Sequence, residues 1–558
     1  MGDLGRSEAQ LPRVGDARAD SGHVSTQLLL GGRIYSPASA DATAMAVADG
    51  TVVWVGADGP ARALYPDAEV TELHGRFLTP GFVDSHVHCT SAGLTLCGLD
   101  LSANTSGAQC LEQVRHYATK HPDGIVWGHG WDESQWTEQR VPSRAEIDAC
   151  APGREVYLSR VDVHSALVST PLLARAAGVH QTDGWAQDGP LSQHAHHLVR
   201  TAARDGLTLS QRGAARAGFL DHAAAHGVVC VHECGGAEIS GITDFRETLA
   251  LTHNVEVRGY WGELVTSTAH AEEVLMRTGA HGLAGDVFVD GSLGSRTAWL
   301  HEPYRDDPRS PTNTGAGYLQ VPEIVTHLRA CTELGVQAGF HVIGDAAMQA
   351  VVRAFAIVVA ELGGPRVAAC GHRLEHAEMV NAEDAAQLGS WGVLASVQPM
   401  FDALWGGDDG LYAQRLGAVR AARLNPYATM AAAGVGLCIG SDAPVTPLDP
   451  WRAVQAAVHH RTAGSGISPR AAFAAATRGA WRAGGVRDGV AGTLVPGAPA
   501  SYAVWDCEEL VVSAPRDSVQ RWSTDPRAGV APLPRLDPGS VLPQCARTVH
   551  HGRTIFPR

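Results

Sequence analysis

Hydrophobic and polar positions change rhythm twice along this chain. From residue 26 to 80, short apolar runs ("TQLLLGGRIYS", "TAMAVADGTVVWVGA", "AEVTELHGRFLTP") are separated by Gly-Gly and Asp-Gly. These are the residues of tight hairpin turns, so the region predicts short paired strands. The same rhythm returns near the far end in "GTLVPGAPASYAVWD", "EELVVSA" and "ARTVHHGRTIF". Two strand-rich ends around a different middle predict one composite β-sandwich, residues 26–79 plus 486–558.

Between them, strand-like runs alternate with Ala-rich helical stretches such as "AGFLDHAAAHG" and "DAAMQAVVRAFAIVVAEL". Several of these stretches end in Gly just ahead of the next strand, as helix C-caps do. Counting from "FVDSHVH", seven further strands are predicted: "GVVCVHEC" (227–234), "VEVRGYWGEL" (255–264), "GDVFVDGSLG" (285–294), "GVQAGFHVIGD" (335–345), "HRLEHAEM" (372–379), "GVLASVQP" (392–399) and "GVGLCIGSDAP" (434–444). Eight strands alternating with helices predict an α/β fold, a (β/α)8 TIM-like barrel over residues 80–94 plus 210–485. Residues 95–209 are too many for a loop and carry strand and helix patterns of their own. They read as an inserted subdomain after strand 1, lying over the barrel mouth. Residues 1–25 are polar without an apolar h-region, which predicts a disordered tail and no signal peptide.

Composition narrows the partners. Of 558 residues, 43 are Lys or Arg and 58 are Asp or Glu, a net charge of −15 with no basic cluster. General nucleic-acid or anionic-membrane binding is therefore not expected, and no apolar run has the length of a membrane span. The eleven cysteines are odd in number and irregularly spaced, so a disulfide framework is not expected and a cytoplasmic location is. A homodimer is the common prior for soluble chains. There is a single lysine, Lys120.

Candidate chemistry collects at the strand ends, where barrel enzymes carry their active sites. The first strand ends in His86 and His88, the fifth in His341; the sixth carries His376, and the eighth ends in Asp442. Residues two apart on a strand point to one face, so His86 and His88 can converge on one ion. Imidazole and carboxylate suit Zn²⁺, with Fe or Mn also open. A lone H-x-H, or a lone buried His, is weak evidence. Five ligand-type residues at matching strand ends are much stronger.

The motifs "PGFVDSHVH", "HVIGD", "HRLEHAE" and "GSDAPV" resemble the amidohydrolase superfamily. "GHGWDESQW", "DGSLGSRTAW" and "SDAPVTPLDP" resemble its YtcJ-like, or amidohydrolase 3, branch, which includes N-substituted formamide deformylase. The resemblance spans about residues 26 to 556. It implies a metal-dependent hydrolase in which His86, His88, His341 and His376 are metal ligands and Asp442 is both ligand and proton shuttle. Many relatives place a Lys in strand four, carboxylated in parts of the superfamily to bridge two metals; here Asp286 stands at that position. With Lys120 in the inserted region, one ion is favoured and a second is left open. Asp286 and Asp290 share strand parity, so both are tentative ligands.

The expected reaction is hydrolysis of a non-peptide carbon–nitrogen bond in a small amide or formamide-type substrate. A metal-activated water attacks the carbonyl, Asp442 shuttles the proton, and His376 or His164 helps at the oxyanion. Trp131, His164 and Arg296 are tentative substrate-binding residues; for Arg296 a loop-bracing role is the stronger reading. Ring deamination is the nearest rival. Ring deaminases of this superfamily usually carry Glu three residues after the strand-five His, whereas this chain has Gly344. Ester hydrolysis and a non-catalytic metal-binding protein are the remaining alternatives.

Overall fold

The computed structural model describes residues 26–557 except 139, 308–309 and 513–529. The expected tail at 1–25 and the end of "EELVVSA" lie outside the described residues. The N-terminal strands Gln27–Leu30, Ala44–Ala48, Thr51–Gly56 and Glu69–Glu72 form one sheet. Its hairpin turns through Asp49-Gly50, both at positive φ (48° and 71°), the backbone that a two-residue turn between right-twisted strands requires. A second sheet is built from both ends of the chain. Arg33–Ile34 and Phe77–Pro80 come from the front, and Tyr502–Asp506, Gln544–His550 and Arg553–Phe556 from the back. Leu29, Val47 and Val52 of the first sheet share a buried cluster with Leu78, Val504 and Val549 of the second.

Phe82–Val87 pairs in parallel with Val228–Gly236, which pairs in turn with Glu256–Gly262. A four-stranded parallel sheet runs through Gly339–Val342, Arg373–His376, Leu394–Val397 and Gly436–Ile439 in that order. Parallel bridges join the two sheets on both sides. Val87 meets Ala443 on one; on the other, Tyr260 meets Gly282, Leu283 meets Ala338 and Phe288 meets His341. These pairings make an α/β fold of the TIM-barrel type. Helices such as Val321–Leu334 and Asp345–Leu362 lie between successive strands. Ile324, Leu328, Val351 and Phe355 pack from them against Phe340 and Leu374 in the largest core.

The expected fourth strand at 285–294 is not a regular strand. Within it the bridge pairing is confined to Phe288, with Gly282 and Leu283 bridging just ahead of it. Gly285 has φ 79°, and the Val287 amide bonds back to the Gly285 carbonyl at 2.9 Å. A tight turn therefore interrupts the strand and re-aims the side chain that follows, as bulges do.

Residues between the first and second parallel strands carry a sheet of their own, ordered Leu191–Ser192, Ser165–Val168, Val156–Arg160, Val126–Trp131 and Leu99–Asp100. The helix Gln193–Asp205 follows it, with Ala195, Val199, Ala202 and Ala203 buried. Among the described residues no single helix is long and apolar enough to cross a membrane.

Candidate active site

The His86 and His88 side chains face the same point from the first parallel strand, as their spacing requires. His86 Nε2 lies 3.6 Å from Asp286 Oδ1 and 3.5 Å from Asp442 Oδ1; His88 Nε2 lies 3.3 Å from Asp286 Oδ2 and 3.3 Å from Asp442 Oδ1. The His376 ring is 5.3 Å from that of His86 and 4.4 Å from that of His341. All six residues are buried. Three sets of donor atoms are each compact enough to surround an ion: His86, His88 and Asp286; His86, His376 and Asp442; Asp286, His341 and His376.

Neighbouring groups hold these donors in place. His86 Nδ1 meets Glu375 Oε2 at 2.8 Å, leaving Nε2 toward the site. Glu375 is clamped by Arg373, whose Nη2 lies 2.9 Å from Oε2. Burial would push the Glu375 carboxyl up, but the Arg373 charge outweighs it and holds it at about 2. His376 Nδ1 meets Gln398 Oε1 at 2.8 Å. Such partners select the tautomer and orient a ligand ring. Asp84 accepts from the backbone amides of His86 and Ser441 at 3.1 and 2.9 Å, which ties the first strand to the loop that carries Asp442. His376 and Asp442 have φ of 69° and 54°, a left-handed backbone that is costly for residues with a Cβ and that clusters at functional positions.

The electrostatics call for a positive charge at this point. Burial opposes ionisation of Asp286 and Asp442, yet His86 and His88 hold both carboxyls below their ordinary range. Burial also opposes protonation of His86, and the carboxylates of Asp286 and Asp442 raise it well above the usual imidazole value. Burial, with His341 beside it, takes His376 down to about 4. His86 Nε2, Asp286 Oδ1, Asp442 Oδ1 and His341 Nδ1 are buried without a hydrogen-bond partner among the described residues. Orphaned buried polar atoms are costly, and a cation with N and O ligands would satisfy the first three, while His341 Nδ1 lies 3.7 Å from Asp290 Oδ1. The donor set therefore fits a divalent metal. Cys234 also lies near His86 and Glu375, but burial pushes its thiol up to about 12, so it stays protonated.

Other expectations change. Asp286 does reach the site, because the turn at Gly285 directs it inward. Asp290 is turned to the backbone instead: its carboxylate accepts from the amides of Trp299, Ile343 and Gly344 at 2.9, 3.0 and 2.7 Å. The parity argument that paired it with Asp286 fails because the stretch is not a continuous strand. Trp131 and Arg296 line a separate groove of about 990 Å³. There the Trp131 indole donates to the Leu158 carbonyl at 2.8 Å, and Arg296 grips Asp306 at 2.9 and 3.1 Å, the bracing role. His164 is brought to the site, its ring 5.3 Å from that of His341; burial and His341 keep it neutral down to about 3. His129, inside the quoted "GHGW", also lines the site cavity, with Nδ1 2.8 Å from Ser159 Oγ and Nε2 2.9 Å from the Pro444 carbonyl. Lys120 is exposed at the end of the helix Gly107–Lys120.

Histidine and aspartate donors gathered at the ends of parallel strands are the mark of a metal-dependent hydrolase of the α/β class. The amidohydrolase family profile matches residues 69–556. The protein YtcJ of Bacillus subtilis (strain 168) is 30% identical over 451 residues, 74% of this chain and 80% of its own length. N-substituted formamide deformylase of Arthrobacter pascens is 24% identical over 78% of this chain and 83% of its own. A crystal structure of an uncharacterized metal-dependent hydrolase from Pyrococcus furiosus superposes with a TM-score of 0.66 at 25% identity, covering 87% of this chain and 99% of that one. The chain belongs to the amidohydrolase family, in its YtcJ-like branch.

Proposed function

We propose that this chain hydrolyses a non-peptide carbon–nitrogen bond in a small amide or formamide-type substrate, on a closed eight-stranded barrel. The observation that carries the reading is the convergence of His86 Nε2, Asp286 Oδ1 and Asp442 Oδ1, all buried and all without partners. His86, His88, Asp286, His341, His376 and Asp442 would hold the metal, with Zn²⁺ the best match to the donor types. Bound there, a divalent cation supplies Lewis acidity for attack of water on a carbonyl. One ion held by His86, His88, Asp286 and Asp442 is the primary arrangement. Asp286 belongs to two donor sets, which favours as second reading an adjoining ion shared through that carboxylate.

Asp442 is anionic, faces both strand-one imidazoles and keeps Oδ1 free. It is placed to take the proton from the attacking water and return it to the leaving nitrogen. His376 is neutral and donates a hydrogen bond from Nδ1–H to Gln398 Oε1, so its Nε2 lone pair suits a ligand and not an acid. Neutral His164, its ring 5.3 Å from that of His341, would then donate to the substrate carbonyl oxygen. Ring deamination is disfavoured sterically. A Cβ on Gly344 would sit 2.0 Å from the Trp299 carbonyl oxygen, so no Glu fits three residues after His341.

The test is a hydrolysis screen of the metal-loaded chain against formamides, acyl-amines, esters and aminopurines, with metal content measured in the wild type and in His86→Ala/His88→Ala. Release of amine from a formamide or acyl-amine, lost together with metal in the double variant, is expected. Full metal occupancy and unchanged turnover in that variant would sink the assignment.

A further inference from the structure

Two small cavities meet at His341, His376 and Asp442, and their walls differ in charge. One, of about 30 Å³, runs among Leu293, Ile343, Phe401 and Trp405 and includes the carboxyl of Glu378, whose Oε2 has no hydrogen-bond partner among the described residues. Arg160 also lines it, but Asp132, Glu133 and Asp162 already meet that guanidinium, so this side offers an anion no uncompensated cation. The other, of about 40 Å³, opens toward the segment inserted after the first parallel strand. Trp127, His129, Tyr157, His197 and Arg200 line it.

His197 and Arg200 are three apart on the helix Gln193–Asp205, a spacing that puts both on one face. His197 Nδ1 engages the Glu238 carboxylate. Glu238 offers Arg200 only its backbone oxygen, to Nε at 3.0 Å. Arg200 Nη2 is buried with no hydrogen-bond partner among the described residues. Arg200 as a whole is half-buried and meets no carboxylate side chain among the described residues, whereas the fully buried Arg160, Arg216, Arg373 and Arg415 each meet at least one. A guanidinium is always charged, and desolvating part of it without an acceptor is unfavourable unless a ligand supplies one. Its fork geometry matches a carboxylate.

We propose that the substrate is an anionic amide, oriented with its carboxylate-bearing arm toward the inserted segment and bound there by Arg200. This rests on the hydrolase reading above. It adds a substrate class and a direction: the scissile bond lies at the His/Asp donors, the carboxylate on the Arg200 side, and the uncharged arm between Leu293 and Phe401. Arg200 is then a specificity residue contributed by the inserted segment, lining the same cavity as the candidate metal ligands without being one of them.

The experiment measures calorimetric binding of metal-anchoring hydroxamates to the full, zinc-loaded chain. Butanohydroxamate is compared with succinic monohydroxamate, and pentanohydroxamate with glutaric monohydroxamate, so that each pair differs in a terminal carboxylate. Wild type is expected to prefer the acid of at least one pair by about tenfold or more, the scale of a charge-assisted hydrogen bond. Arg200→Gln is expected to reduce that preference to about twofold or less with alkyl hydroxamate affinity and zinc content unchanged, and Arg200→Lys to keep part of it. Hydroxamates that bind without acid preference at either length, or a preference that survives in Arg200→Gln, overturn the anionic assignment alone. Failure of all four probes to bind the zinc-loaded chain overturns the hydrolase reading and this assignment with it.

Discussion

Two clusters of buried charge border one cavity, and they differ in how completely their atoms are paired. In the first, Arg160 meets Asp132, Glu133 and Asp162 at 2.7, 2.8 and 3.2 Å. Asp162 accepts the hydroxyls of Ser292 and Ser295, both at 2.8 Å. Glu133 continues to Arg415 and Arg415 to Asp306, which Arg296 also grips. Charges alternate along the whole chain of contacts, and the result joins the inserted segment to the loops around it. In the second cluster, two imidazoles and two carboxylates turn unpartnered atoms toward each other with space left between. Density of polar residues does not separate a brace from a site here. The number of open atoms does: among the described residues of the brace only Arg160 Nη1 lacks a hydrogen bond, and it lies 3.2 Å from Asp162, whereas His86 Nε2, Asp286 Oδ1 and Asp442 Oδ1 face one another without one, and a buried polar atom without a partner is a cost that a ligand removes.

The sharpest way to break this contrast is to empty the second cluster. His86→Ala/His88→Ala should abolish metal binding and lower hydrolysis by about 10³-fold or more, read by elemental analysis and turnover, while the melting transition stays cooperative. The first cluster should respond in the opposite sense. Arg160→Met leaves three carboxylates facing one another and should cost about 3–5 kcal/mol of stability, seen in denaturant unfolding, with metal per folded molecule unchanged. Loss of metal at full stability would show that the brace belongs to the site.

An intermediate effect is expected from the support behind His86. Glu375→Gln keeps an acceptor but removes the charge, and metal affinity should fall about 10- to 100-fold, measured by chelator competition. A smaller effect distinguishes a satisfied buried imidazole from the open ones. His372 Nδ1 accepts the Ala338 amide at 2.9 Å and its Nε2 meets Thr332 Oγ1 at 2.9 Å. Burial, then His327, lowers its pKa from 6.5 to about 3. With the folded value depressed, its contribution is complete above pH about 6.5 and is lost as the pH falls from there toward about 3, because the unfolded chain takes the proton first. His372→Gln should therefore lose less melting temperature between pH 8 and pH 5 than the wild type does; an equal loss would refute the assignment. The smallest change belongs to Arg296→Gln, at a half-buried pair on the groove rim, with about 1 kcal/mol or less in stability and no change in metal content.

Much of this arrangement could be read before any coordinates. His86, His88, His341, His376 and Asp442 were recognisable because strand periodicity and the alternation of strands with helices place them at one end of a parallel fold, and the structure gathers them there. The fourth stretch was misread because apolar periodicity does not report a turn. Gly285 breaks the strand, which brings Asp286 in and sends Asp290 to three backbone amides. Trp131 drew attention as a large aromatic in a family motif, but an indole with a carbonyl partner and full burial is a packing residue. Gln398 and Arg200 carried no pattern of their own, and Glu375 stood inside "HRLEHAE" with no role assigned to it. Their importance lies in contacts between residues far apart in the chain, which spacing along one segment does not encode.

Asp286 has a consequence for how the centre comes into being. Every candidate donor is a side chain as translated, and the chain's one lysine, Lys120, is exposed at the end of a helix. Nothing must be added to a nitrogen before a cation can enter. Reconstitution in carbonate-free buffer should then run as fast and as far as in bicarbonate.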